Sequence, residues 1–299
     1  MKILITGGTG LIGRAICKEL AILGHEITVL SRNPNSVAEK CGKNIKAIKS
    51  LDEYTPDVIF DAIINLAGEP IVDKPWTDSR KNSLWDSRIT LTEKIVDKIG
   101  QAYTKPNVLL SGSAIGFYPN LDTKIINEST QPSNDLHFGV KICIEWEKSA
   151  LKANNLGVRV CNLRTGLVMA KDGGVLQKML LPFKLGLGSS IGNGMQYMSW
   201  IHIDDYVKII KLLLENQNAV GAYNMVAPNP VTNKEFTKTL AQVLKRPAIF
   251  FTPTFLIKLL LGQRAYLLLD SQRIVPHKLQ ELGYKFEYPN LFDALDNLV

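Results

Sequence analysis

A strand that runs straight into glycines spaced three apart leaves few choices of fold. This chain opens on one, Ile3-Leu4-Ile5-Thr6-Gly7-Gly8-Thr9-Gly10-Leu11-Ile12-Gly13. Gly7 allows a tight turn, Gly10 lets the backbone approach a pyrophosphate, and Gly13 permits the next helix to pack closely on the strand. The free N–H groups of Thr9, Leu11 and Ile12, at the positive end of that helix, then face the anion.

The surroundings agree with this reading. From Arg14 to Leu23 apolar residues recur at helical spacing, Gly24-His25 breaks the run, and Ile27-Thr28-Val29-Leu30 forms a second strand. This is a strand-helix-strand unit. At the end of the second strand, where a carboxylate would accept from a ribose 2′-hydroxyl, stand Ser31 and Arg32. A hydroxyl and a guanidinium suit a 2′-phosphate, so the expected cofactor is NADP(H) rather than NAD(H).

With 299 residues, 45% of them hydrophobic, the composition is that of an ordinary globular enzyme. The net charge of +7 is spread without a basic block, which argues against a nucleic-acid partner. Cys17, Cys41, Cys143 and Cys161 lack metal-ligand spacing and read as small buried hydrophobes, so no metal is expected. The residues at the N-terminus already read as the first strand and lack the h-region and cleavage site of a signal peptide, so none is expected. The most apolar stretch, Phe255 to Leu269, is interrupted by Lys258, Gln263 and Arg264, well short of a membrane span. A cytoplasmic location without a membrane partner follows as an expectation, and the leucine cluster at 256–261 reads as core.

Strand and helix signals continue to alternate. Ile45 to Ile48, Val58 to Ile64, Asn107 to Leu110 and Val158 to Leu163 read as buried parallel strands, with helices over Ser87 to Ala102 and His137 to Asn154. The expected class is α/β, a doubly wound parallel sheet over residues 1–171, to which later elements such as 200–226 return. Residues 172–299 would form mainly a smaller α/β substrate lobe. The oligomeric state is not encoded in any such pattern.

Ligands of open α/β sheets sit beyond the carboxyl ends of the strands. Beyond the fourth strand lie Asn65-Leu66-Ala67-Gly68-Glu69, whose small residues let backbone run against the cofactor. Beyond the fifth lie Ser111-Gly112-Ser113-Ala114 and then Tyr118; beyond the sixth, Arg164 to Met169. Met195, Met198 and Trp200 are candidate substrate-pocket walls, with Gly192 and Gly194 loosening a covering loop. His202 reads as a structural hydrogen-bonding residue.

Together these pieces resemble the extended short-chain dehydrogenase/reductase superfamily, a Rossmann domain with a small C-terminal lobe. The segments Asn65 to Glu69, Ser87-Arg88-Ile89, Ser111 to Ala114, Leu180 to Gly188 and Trp200 to Ile203 resemble its atypical epimerase branch. The tail from about Arg246 is similar to that branch's C-terminal domain of unknown function. The resemblance implies that Gly7 to Gly13 hold the pyrophosphate and that Ser31 and Arg32 take the 2′-phosphate. It also places Leu66 and Ala67 along the ribose, makes Arg88 a cofactor contact, and sets Gly166 to Met169 along the nicotinamide.

Enzymes of that superfamily pair a Ser or Thr with Tyr-x-x-x-Lys, the lysine lowering the phenol's pKa for proton exchange. Ser113 fills the serine position. Phe138 and Ile142 fall where the tyrosine and lysine belong, and Lys141 lies one residue early. Tyr118 and Glu69 are the remaining candidates for proton transfer, although a wall position accounts equally for Tyr118 and an ion pair with Arg80, Lys81 or Arg88 is the better account of Glu69. Two functions are therefore expected: an NADP-dependent oxidoreductase or epimerase acting on a small carbonyl or sugar-like molecule, or a catalytically silent NADP(H)-binding sensor or scaffold.

Overall fold

The computed structural model describes residues 1–134 and 137–299. In chain order the elements begin β1 (Lys2–Thr6), α1 (Leu11–Ile22), β2 (Glu26–Leu30), α2 (Val37–Cys41), β3 (Lys46–Ile48) and β4 (Ala62–Asn65). Then come α3 (Asp78–Trp85), α4 (Leu91–Gln101), β5 (Val108–Ala114), β6 (Ile125–Ile126), α5 (Phe138–Leu151), β7 (Arg159–Thr165) and β8 (Leu167–Ala170). The remainder is α6 (Gly174–Lys184), β9 (Ser189–Ile191), β10 (Tyr197–Met198), β11 (Trp200–His202), α7 (Ile203–Glu215), β12 (Gly221–Met225), β13 (Val231–Thr232) and α8 (Asn233–Leu244), followed by β14 (Phe250–Thr252), α9 (Thr254–Leu261), α10 (Tyr266–Leu269), β15 (Arg273–Ile274), α11 (His277–Glu281) and α12 (Leu291–Leu298).

Seven strands form one parallel sheet in the order β12-β7-β5-β4-β1-β2-β3. The order reverses between β1 and β4, which opens a crevice at the carboxyl ends of those two strands. This is the Rossmann-type α/β fold. Strands buried on both faces explain the unbroken apolar runs: Ile3 and Ile5 point to one core with Ile16, Cys17 and Leu20, whereas Leu4 and Ile63 point to the other with Ile95 and Ile99. A third core, built on Leu176, Phe183, Phe236, Leu240 and Leu295, holds the C-terminal part together.

Local chemistry moved some boundaries. The helix expected from Ser87 begins at Asp78, because Thr77 Oγ1 accepts the Arg80 N–H at 3.2 Å and caps a polar first turn with no apolar periodicity to betray it. A π-helical turn, Asp86–Thr90, joins α3 to α4. The Leu256–Leu261 cluster, expected as core, is a surface helix instead: α9 buries none of its residues.

Candidate functional site

The glycine turn is built for close approach. Gly7 has φ +71°, and a Cβ there would meet the Leu66 carbonyl oxygen at 2.6 Å. A Cβ on Gly13 would lie 2.3 Å from the Gly7 oxygen, so any other residue would push α1 off the strand. Gly10 is the N-cap of α1; no side chain caps the helix and no acid lies in its first turn, which leaves the N–H groups of its opening turn for an anion. One turn in, Arg14 has a buried Nε with no hydrogen-bond partner among the described residues. The cradle and the orphaned donor both fit a dinucleotide diphosphate.

The neighbouring loop is fixed by polar side chains. Thr6 Oγ1 donates to Asn65 Oδ1 at 2.6 Å and accepts the Ala67 N–H at 3.2 Å, which holds Leu66 and Ala67 against the glycine turn. Ser111 is fully buried beside Asn65. Arg88 lies under Gly68, where a Cβ would come within 2.9 Å of its Cζ. Its guanidinium donates to the carbonyl oxygens of Glu69 at 2.9 Å and Leu84 at 3.3 Å, so it braces the loop from behind.

At the end of β2 the side chain of Arg32 is 93% exposed and meets Glu69 Oε1 at 2.8 Å; Arg80 holds the other carboxylate oxygen at 3.2 Å. Hydrogen bonds from Arg32 and Arg80 hold the Glu69 carboxyl below the usual range. With both oxygens engaged by guanidinium groups, Glu69 is a tether for Arg32, and the ion pair anticipated with Arg80 is the arrangement found. Ser31 Oγ stays local, accepting the Asn33 N–H at 3.2 Å.

Beyond β5 and β7 lies a cavity of about 1160 Å³, walled by Ala114, Tyr118, Cys143, Thr165, Gly166 and Tyr266 among others. A second hollow of about 850 Å³ shares Asn120, His137, Tyr266 and Asp270 with it and adds Trp76, Phe138 and Met195. Gly166 is obligatory there, since a Cβ would meet the Ser199 oxygen at 2.6 Å.

Ser113 does not line either hollow. Its hydroxyl turns inward and donates to Glu147 Oε1 at 2.7 Å. Glu147 in turn receives Arg164 Nε at 2.8 Å and Nη2 at 2.9 Å, and Arg164 Nη1 donates to the Tyr118 hydroxyl at 2.7 Å. Tyr118 donates onward to Asn224 Oδ1 at 2.7 Å, and burial pushes its phenol up to about 12. A buried chain of polar groups thus runs from β5 through α5 and β7 to β12.

Two residues assigned to the pocket or cofactor are core. Trp200 is fully buried and donates Nε1–H to the Asn229 oxygen at 3.1 Å, because both faces of β11 are covered. Met169 is likewise buried with the third core, away from the wall that Thr165 to Leu167 provide. His202 caps α7 by accepting the Asp204 N–H at 3.1 Å and stacks on Tyr288 at 3.9 Å.

The residue that sequence reasoning missed is Tyr266. Its hydroxyl is buried without a hydrogen-bond partner among the described residues and lies where a Cβ on Gly139 would be, 1.9 Å away. Its ring stacks on His137 and stands edge-on to Trp76, which also packs on Phe138 at 5.2 Å. A phenol carried by the C-terminal part therefore reaches the start of α5, next to the phenylalanine that replaces the expected tyrosine. A glycine immediately after Phe138 was the available signal of that close approach.

Residues 3–226 match the NAD dependent epimerase/dehydratase family, and residues 252–298 match a domain of unknown function, DUF1731. The chain belongs to that epimerase family. It is 36% identical over 299 residues to the epimerase family protein SH2119 of Staphylococcus haemolyticus, covering 100% of this chain and 99% of the relative. It is 38% identical to the chloroplastic SDR39U1 homolog of Arabidopsis thaliana, covering 99% of this chain and 86% of that protein. Among solved structures, human epimerase family protein SDR39U1 with NADPH superposes with a TM-score of 0.89 at 32% identity, over 100% of this chain and 99% of that one. No helix among the described residues is long and apolar enough to cross a membrane.

Proposed function

We propose that this chain is an NADPH-dependent reductase of a small, uncharged carbonyl compound. The observation that carries the reading is Tyr266, a wall residue of the large cavity whose buried hydroxyl packs against Gly139 beside the Phe138 position with no well-formed hydrogen bond among the described residues. The glycine cradle, the exposed Arg32 and the NADPH carried by human SDR39U1 support the choice of cofactor.

NADPH, when bound, supplies the hydride that the carbonyl carbon receives. The chain must supply the proton for the carbonyl oxygen. Burial raises the Tyr266 phenol above its ordinary value, and among the described residues no lysine acts on it to lower it. Such a phenol is a poor base near neutral pH but remains a competent acid toward an oxygen gaining alkoxide character. That asymmetry favours reduction over the oxidation with which a sugar epimerisation begins. The chain of Ser113, Glu147, Arg164 and Tyr118 positions the cavity wall rather than presenting its hydroxyls to a ligand.

The charge of the wall supports an uncharged substrate. In the large cavity Lys178 is paired with Asp73 at 2.6 Å, Lys258 is the sole lysine walling the smaller hollow, and no arginine lines either among the described residues. A nucleotide sugar would leave its diphosphate without a guanidinium fork.

The test is NADPH oxidation across a panel of neutral aldehydes and ketones, run beside UDP-sugars. Turnover of a neutral carbonyl that Tyr266→Phe lowers about 100-fold supports the reading. Tight NADPH binding with no turnover anywhere would favour the silent sensor, which the Phe138 and Ile142 replacements also suit.

A further inference from the structure

The surface of the C-terminal part carries an apolar patch that the fold leaves uncovered. Leu259 and Leu260 on α9 are 78% and 71% exposed, Phe255 on the same helix 65%, and Ile249 and Phe251 on and beside β14 are 81% and 67%. The end of α6 adjoins them, since Arg246 donates to the Lys184 oxygen and β14 pairs with β9, which brings Leu185 and Leu187 alongside. Side chains of this size offer ~150–200 Å² each, so the patch is on the order of 1,000 Å², beyond the few hundred that monomers usually expose.

Its charge identifies what it meets. Of the seven lysines and arginines in residues 173–203 and 236–269, Lys178 is paired with Asp73 and Arg264 is buried, which leaves Lys184, Lys238, Lys245, Arg246 and Lys258 as exposed cations around the patch. Among the described residues no carboxylate pairs with Lys184, Lys245, Arg246 or Lys258, all of them exposed. Two such faces brought together as a homodimer would oppose cation to cation. An anionic bilayer surface offers negative headgroups to the lysines and hydrocarbon to the phenylalanines and leucines.

We propose that α9 and β14 dock this protein on the surface of a membrane containing anionic lipid, with α9 lying in the interface. This reverses the expectation, drawn from the interrupted apolar run, that no membrane is involved. The absence of a spanning helix is compatible with it, because the helix lies flat. Thr254 and Lys258 of α9 also wall the smaller hollow, so docking sets one wall of that hollow beside the lipid. The inference is independent of the proposed reduction.

Flotation of the full chain with phosphatidylcholine vesicles, with and without phosphatidylglycerol, tests it. The wild type should float only with phosphatidylglycerol and release at high salt. Lys258→Ala should weaken binding about fivefold, and Leu259→Asp should abolish it with melting temperature and NADPH binding unchanged. Failure to float with anionic vesicles overturns the proposal. So does a concentration-dependent dimer by light scattering that Leu259→Asp dissolves while flotation stays absent, which would make the patch a self-interface.

Discussion

Arg164 grips Glu147 with two parallel hydrogen bonds, Nε to Oε1 at 2.8 Å and Nη2 to Oε2 at 2.9 Å, with both side chains 7% exposed. The fork is closed further by Ser113 on the carboxylate and Tyr118 on the guanidinium. A buried pair of this kind is costly to break from one side, because the remaining charge has no water to turn to.

Glu147→Ala should therefore lower stability by about 3–5 kcal/mol, read by urea denaturation. Ser113→Ala, which removes one hydrogen bond from a carboxylate that keeps two, should cost less, about 1.5–3 kcal/mol. A Ser113→Ala variant that folds normally but loses all turnover would contradict the placement of Ser113 behind the wall.

The fit of Tyr266 against Gly139 separates folding from chemistry. Tyr266→Phe removes a hydroxyl with no partner, so stability should hold while turnover falls. Gly139→Ala puts a methyl 1.9 Å from that hydroxyl and should cost about 1–3 kcal/mol. Adding Tyr266→Phe should restore much of the loss, and thermal unfolding of the four proteins measures the coupling.

Arg32 has two possible anionic partners, Glu69 and a 2′-phosphate. Arg32→Ala should erase about tenfold of a preference for NADPH over NADH. Glu69→Gln should tighten NADPH a few-fold at low salt by releasing the arginine, with NADH unaffected. Titration of nucleotide fluorescence reads both, and equal affinities for the two nucleotides in the wild type would refute the role of Arg32.

Glu128 provides a pH signature. Burial raises its carboxyl above the ordinary value, although it accepts the N–H groups of Asn224 at 3.1 Å and Lys278 at 3.4 Å. A carboxyl raised on folding stabilises the protein fully below its unfolded value, and that contribution is lost as pH rises through the raised one. The stability difference between wild type and Glu128→Gln should thus shift against the wild type from acidic toward neutral pH, as melting curves across that range would record.

What could be read from the residues alone follows from how local each determinant is. The glycine turn declares itself because Gly7 needs a positive φ and Gly13 has no room for a side chain, both dictated within a few residues. The parallel strands declare themselves because burial on two faces demands unbroken apolar runs. The C-terminal part is different: β14 and β15 are three and two residues long, too short to show a period. Trp200 and Leu259 illustrate the cost of that. Each is a large apolar residue, and only the tertiary packing decides that the tryptophan is core and the leucine is surface. Tyr266 could not be placed from its neighbours, since its partner Gly139 belongs to the other half of the chain.

The contact between Gly139 and Tyr266 also makes each half of the chain the complement of the other. The cradle-bearing half by itself would have a notch at the start of α5 and an open wall, and the tail by itself would carry a phenol with nothing to lean on. Exchange of one half for a version with a side chain at position 139, or without the ring at 266, would meet a collision or a void at this point.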